Sequence, residues 1–98
     1  MQGPQGTLSV ASRKLTLTNK RGLHARAATK LVQCCQPFQA RITVSHAGQD
    51  ADAANIMSLL MLAAPCGTEL TVSAEGEDAE AALEAIEALF DARFEEDA

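Results

Sequence analysis

Between residues 12 and 36 the spacing of apolar side chains changes from every second position to every third or fourth, and a histidine stands at the change. Leu15 and Leu17 alternate with Lys14, Thr16 and Thr18, the period of a strand with one dry face. Further on, Ala28, Leu31, Val32 and Cys35 recur at the i, i+3, i+4, i+7 spacing of one helix face, while Arg26, Lys30 and Gln33 fall outside it. This predicts a strand over about 12–18, a turn eased by Gly22, and a helix from His24 to about Gln36, stopped by Pro37. A chain that switches period so early folds as a mixed α and β domain.

The junction places His24 where a helix begins. The first helical turn leaves backbone N–H groups without intrahelical partners, and the aligned peptide dipoles put partial positive charge there. Such an end binds phosphate. Arg26, two residues on, covers the same mouth and can form charge-assisted hydrogen bonds with an oxyanion. Both features disfavour a second positive charge, so a neutral imidazole is expected, with a lone pair free to act as a nucleophile. A covalent phosphoryl group on His24 is one reading. An exposed histidine that merely caps the helix is the other, and local chemistry leaves both open.

Composition narrows the classes. At 98 residues the chain is expected to form one domain with one core, and with 47% hydrophobic residues but three aromatics (Phe38, Phe90, Phe94) that core is aliphatic. A formal charge of −5 argues against nucleic acid. Most acids lie after Asp50, whereas Arg13, Lys14, Lys20, Arg21, Arg26, Lys30 and Arg41 belong to the first half, which leaves a basic end around His24 suited to an anionic group or acidic partner. Cys34, Cys35 and Cys66 have no C-x-x-C spacing, so neither disulfides nor a metal site is expected. Cys35 reads as a core filler and Cys34 as partly exposed. Reduced thiols, and no apolar run long enough for a signal peptide or membrane span, point to the cytoplasm.

The remaining elements follow from pattern. Residues 1–9 read as a flexible arm. A second strand is expected over 39–46, a hairpin turn at Gly48, and a weak edge strand over 49–53. His46 reads as a solvated turn residue. A second helix over 55–63, capped by Asn55, is apolar on nearly every side, so some of its side chains must reach the surface as an adaptable patch. Leu70, Val72 and Ala74 mark the clearest strand, over 69–75. Asp78 can cap a last helix whose buried stripe is Ala79, Ala82, Leu83, Ile86, Leu89 and Phe90. The acidic tail, 95–98, lies at a helix end that disfavours negative charge and is expected to fray. The order predicts an α+β open-faced sandwich, a mostly antiparallel four-stranded sheet with three helices on one face.

The stretch Gly-Leu-His-Ala-Arg-Ala-Ala resembles the active-site signature of the HPr family, histidine phosphocarriers of the phosphoenolpyruvate-dependent phosphotransferase system. The resemblance runs from about residue 13 to 94 and implies an HPr-like domain over 10–94. It implies that His24 accepts phosphate on its pros nitrogen, Nδ1, that Arg26 steadies the group, and that the amides of Ala25, Arg26 and Ala27 bind it. The family usually has proline where this chain has Ala27, so the site gains a donor and loses some rigidity. The matching second helix touches partners, which singles out Ile56, Met57 and Leu60 for docking.

Leu59 to Leu62 (Leu-Leu-Met-Leu) and the ending Ala-Leu-Phe-Asp-Ala-Arg-Phe-Glu-Glu-Asp are more similar to the nitrogen-related NPr branch than to the sugar-transport branch. Asn55 stands where HPr of Gram-positive bacteria has its regulatory serine, so serine-kinase control is not expected there. The expected donor is an enzyme I-type protein and the acceptor an enzyme IIA-type protein, with no cofactor, no metal, no nucleic acid, no membrane, and a monomeric chain that is not itself an enzyme. Sugar-transport HPr, a phosphate-independent regulatory module and, less favoured, a small-ligand sensor are the alternatives.

Overall fold

The computed structural model describes residues 9–96. Its elements are β1 (Ser9–Thr16), α1 (Ala25–Cys35), β2 (Arg41–His46), β3 (Gln49–Asp52), α2 (Ile56–Met61), β4 (Glu69–Gly76) and α3 (Ala79–Asp91), followed by a 3-10 turn at Arg93–Glu95. The strands form one sheet in the order β1-β4-β2-β3, and each pairing is antiparallel. This is the predicted architecture.

Register explains why one face is dry. Leu15 lies opposite Leu70, Val72 opposite Val44, and Ala74 opposite Ile42, so a continuous aliphatic surface faces the helices. Leu31 of α1, Leu59 of α2, and Leu83, Ile86 and Phe90 of α3 close over it and are buried. Removing each such side chain from water contributes about 1.5–3 kcal/mol, set against the entropy of ordering it. On the other face Ser12, Lys14 and Thr16 are exposed.

Several boundaries differ from the expectation, each for a local reason. β1 begins at Ser9, paired with Gly76, and ends at Thr16. Leu17 nevertheless continues the pairing through its N–H to the Thr68 carbonyl at 2.9 Å and its carbonyl to the Gly67 N–H at 2.7 Å. Of the expected 1–9 arm, residues 1–8 lie outside the described residues. β2 starts only at Arg41 because the amides of Gln39 and Ala40 donate to the two carboxylate oxygens of Asp78, at 2.8 and 2.9 Å. Asp78 is therefore N-cap of α3 by position, with no capping bond from its side chain. Its carboxylate joins the entry to β2 to the start of α3 instead.

The hairpin turn carries positive φ at Ala47 as well as Gly48, 51° and 84°, the handedness that a two-residue hairpin requires. α2 is shorter than expected. Asn55 caps it as predicted, accepting from Ser58 N–H at 3.1 Å, but the chain leaves the helix at Ala63, in the left-handed region with φ 50°. Pro65 and Gly67, residue types that ordinarily stop a helix, both lie beyond that exit.

The chain beyond α3 is the largest departure. Instead of fraying, Arg93, Phe94 and Glu95 turn left-handed, with φ of 54°, 54° and 63°. Each such non-glycine residue costs about 1–2 kcal/mol. Burial of Phe94, whose ring centroid lies 4.9 Å from that of Phe90, offsets the cost.

Candidate functional site

His24 is the N-cap of α1, with extended backbone at φ −89° and ψ −177°, and its carbonyl accepts the first helical bond from Ala28 N–H at 2.8 Å. Gly22 makes this placement possible. Its φ is +68°, and a Cβ there would come within 2.5 Å of the Ala64 carbonyl oxygen. The Leu23 N–H donates to that same carbonyl at 2.9 Å, so the turn before the histidine rests on the segment that follows α2. The Asn19 side chain, fully buried, closes the turn by donating to the Gly22 carbonyl at 2.7 Å.

The two ring nitrogens of His24 meet different partners. Nδ1 accepts from the Arg26 backbone N–H at 3.3 Å, at the exposed helix mouth. Nε2 lies 2.6 Å from Oε2 of Glu96, in a part-buried contact. The sequence-predicted His24, Arg26, Ala25 and Ala27 are thus together in one helical turn. Arg26 is exposed, and Ala27 is fully buried.

Glu96 was invisible to sequence reasoning as a site residue, since it lies 72 positions from His24 and sits in the expected fraying tail. It also accepts from Asn19 Nδ2 at 3.2 Å. Burial pushes the Glu96 carboxyl up, but its bonds to His24 and Asn19, with the nearby Arg21 charge, hold it below the usual carboxylate value. The basic end read from composition is therefore partly balanced. Lys30 is tied to Glu95 at 3.2 Å, and Arg13 is directed away, donating to Glu87 at 2.6 Å and Glu80 at 3.2 Å on α3.

On α2, Ile56 and Leu60 are half-buried against the core, Leu59 is buried, and Met57 is 67% exposed. Met61, which the sequence reading did not single out, is 75% exposed one turn on from Met57. The i, i+4 spacing of the two methionines was the available signal. Among the described residues no group of three or more His, Cys, Asp or Glu is placed to hold a metal ion, and no helix is long and apolar enough to cross a membrane. Cys34 is half-buried, Cys35 buried and Cys66 exposed, all as free thiols.

The site thus sets one imidazole nitrogen against the first-turn amide of Arg26, on an open-faced sandwich. Comparison with known proteins gives the family. The family model described as "PTS HPr component phosphorylation site" matches residues 11–92. The chain is 48% identical to phosphocarrier protein HPr of Xylella fastidiosa strain Temecula1, over 86% of this chain and 94% of that one. It is 49% identical to phosphocarrier protein NPr of Shewanella violacea, over 86% and 92%. Among solved structures, HPr-C-His from Thermoanaerobacter tengcongensis superposes with a TM-score of 0.86 at 33% identity, covering 90% of this chain and 99% of that one. The chain belongs to the HPr family, whose members carry phosphohistidine in the phosphotransferase system and are not enzymes.

Proposed function

We propose that His24 accepts a phosphoryl group on Nδ1 from an enzyme I-type protein charged by phosphoenolpyruvate and passes it to an enzyme IIA-type protein of the nitrogen-related system. The observation that carries this reading is the bond from Arg26 N–H to Nδ1, at the exposed mouth of α1. A phosphoryl group on that nitrogen would take over the same amide and meet those of Ala25 and Ala27, with the Arg26 guanidinium free to fold over it. In the transfer the Nδ1 lone pair forms the N–P bond, the donor's bond to phosphorus breaks, and its electron pair stays on the donor atom. The second transfer reverses these roles.

A carrier must also release the group. Each 1.4 kcal/mol of added stabilisation of the phosphorylated form shifts onward transfer tenfold the wrong way. A helix-end contribution of about 0.3–1 kcal/mol, and an exposed arginine contact of similar size, keep the equilibrium poised. Docking falls to Ile56, Met57 and Leu60 on α2, with Met61 added by its exposure. The carrier works as a monomer in a cytoplasmic relay.

The nitrogen-related assignment is supported by the NPr relative of Shewanella violacea, by Leu59 to Leu62 and by Asn55. Sugar-transport HPr is the second reading, favoured by the comparably similar HPr of Xylella fastidiosa. Incubating the protein with phosphoenolpyruvate and enzyme I from each branch decides between them. The expected result is acid-labile, alkali-stable label, gained faster with the nitrogen-branch enzyme and absent from His24→Ala. Label that survives acid, or persists in His24→Ala, removes His24 from the role.

A further inference from the structure

Glu96 reaches His24 by a route too constrained to be incidental. α3 stops at Asp91, three consecutive non-glycine residues turn left-handed, Phe94 is driven into the core, and Lys30 donates to the Phe94 carbonyl at 2.9 Å. Backbone strain of this kind persists only where surrounding structure enforces it. The product of the turn is one carboxylate, 11% exposed, held by Asn19 and set 2.6 Å from Nε2. Asn19 is itself fixed to the Gly22 turn that positions the histidine. One buried amide thus connects both sides of the contact.

The contacts on the two ring nitrogens select the same tautomer. A backbone N–H can only donate, so the Arg26 bond requires the lone pair on Nδ1. A carboxylate can only accept, so the Glu96 bond requires the proton on Nε2. We propose that Glu96 is a positioning residue for phosphotransfer: it locks His24 with Nδ1 unprotonated and facing the helix mouth, and it stabilises the positive charge the ring gains as the N–P bond forms. The Nε2 proton stays on the ring throughout, bonded to Glu96. When the group leaves, the N–P electron pair returns to Nδ1 and the starting tautomer is recovered. The same logic governs carboxylate–histidine pairs in hydrolytic triads, where the carboxylate orients the imidazole and does not take its proton.

This proposal rests on His24 being the phosphoacceptor, and its test separates the two. Glu96→Gln keeps the size of the side chain, and Glu96→Ala removes the contact. Long-range proton–nitrogen NMR of the His24 ring reads the tautomer without any phosphotransfer, and rapid-quench phosphorylation by enzyme I reads kcat and KM. The parent is expected to hold a single Nε2–H tautomer. Both variants, with unchanged backbone amide spectra outside the site, are expected to mix tautomers and to lose about tenfold in kcat, the equivalent of one charge-assisted hydrogen bond, with KM little changed. Ring nitrogen shifts identical to the parent in both variants overturn the proposal, as does an altered tautomer with unchanged kcat. A parent that takes no phosphate from any enzyme I overturns the carrier reading, and with it the reaction role of Glu96; the ring shifts tell that failure from the first.

Discussion

Lys30 of α1 holds the turn that follows α3, its Nζ donating to the Phe94 carbonyl at 2.9 Å and to Glu95 Oε1 at 3.2 Å. The first bond satisfies a carbonyl in a strained turn, and the second is an exposed ion pair of little worth on its own. Lys30→Met keeps the aliphatic stem and removes both. We expect a loss of about 1–2 kcal/mol in urea unfolding, together with faster amide exchange at Glu95 and Glu96. Phe94→Ala removes what offsets the turn, and the expected cost is larger, about 3–5 kcal/mol.

Gly22 cannot become alanine without moving the segment after α2. A Cβ would lie 2.5 Å from the Ala64 carbonyl oxygen and 2.8 Å from Pro65 carbons, all backbone atoms, and φ is +68°. Left-handed strain alone costs about 1 kcal/mol. With the collision added, Gly22→Ala is expected to lose about 2–4 kcal/mol in denaturant unfolding and to weaken the Leu23 amide's protection from exchange.

What the sequence revealed and concealed follows from the range of each interaction. The strand alternation around Leu15, Leu70 and Val72, the stripe of α3 and the N-cap position of His24 depend on residues within a turn or two, so spacing alone exposes them. Asp78 looks like a helix cap because its neighbours are a helix, and only the folded sheet brings Gln39 and Ala40 within reach of its carboxylate. Glu96 is harder still. At a helix end, electrostatics predicts fraying, and that expectation is overridden by Phe94 burial and by a histidine and an asparagine more than seventy positions away.

Acid should weaken the hold on the segment after α3. The carboxyl of Glu96 is held below its ordinary value, so the folded form binds its proton less readily than the unfolded chain. Its contribution is therefore fully present above the ordinary carboxylate value of 4.5 and is lost as the pH falls through the lowered one. Stability measured from pH 6 downward should fall less steeply in Glu96→Gln than in the parent, about in proportion to one proton.

The three thiols should separate by access. Burial, with smaller contributions from Cys34 and Asp52, pushes the Cys35 thiol up to about 12, and burial also raises Cys34. Cys66 is exposed. Timed alkylation of the folded protein, read by mass spectrometry, is expected to modify Cys66 first, Cys34 more slowly and Cys35 only on unfolding. Because the raised Cys35 value favours the neutral thiol in the fold, its contribution to stability should decline above about pH 9, where the unfolded thiol ionises, and be gone near 12.

Ala27 offers the sharpest question about the phosphate site, because proline is the family's usual residue there. It is the third residue of α1, fully buried, and its N–H belongs to the first turn, where no intrahelical partner exists. Proline therefore sacrifices no helical bond and restricts the unfolded chain, so Ala27→Pro should fold with stability unchanged or raised by up to about 1 kcal/mol. If the Ala27 amide helps to hold the phosphoryl group, the same variant should shorten the life of the phosphorylated form about three- to tenfold, one exposed charge-assisted bond, while the rate of loading from enzyme I changes little. An unchanged phosphohistidine half-life would confine the phosphate contacts to Arg26 and Ala25.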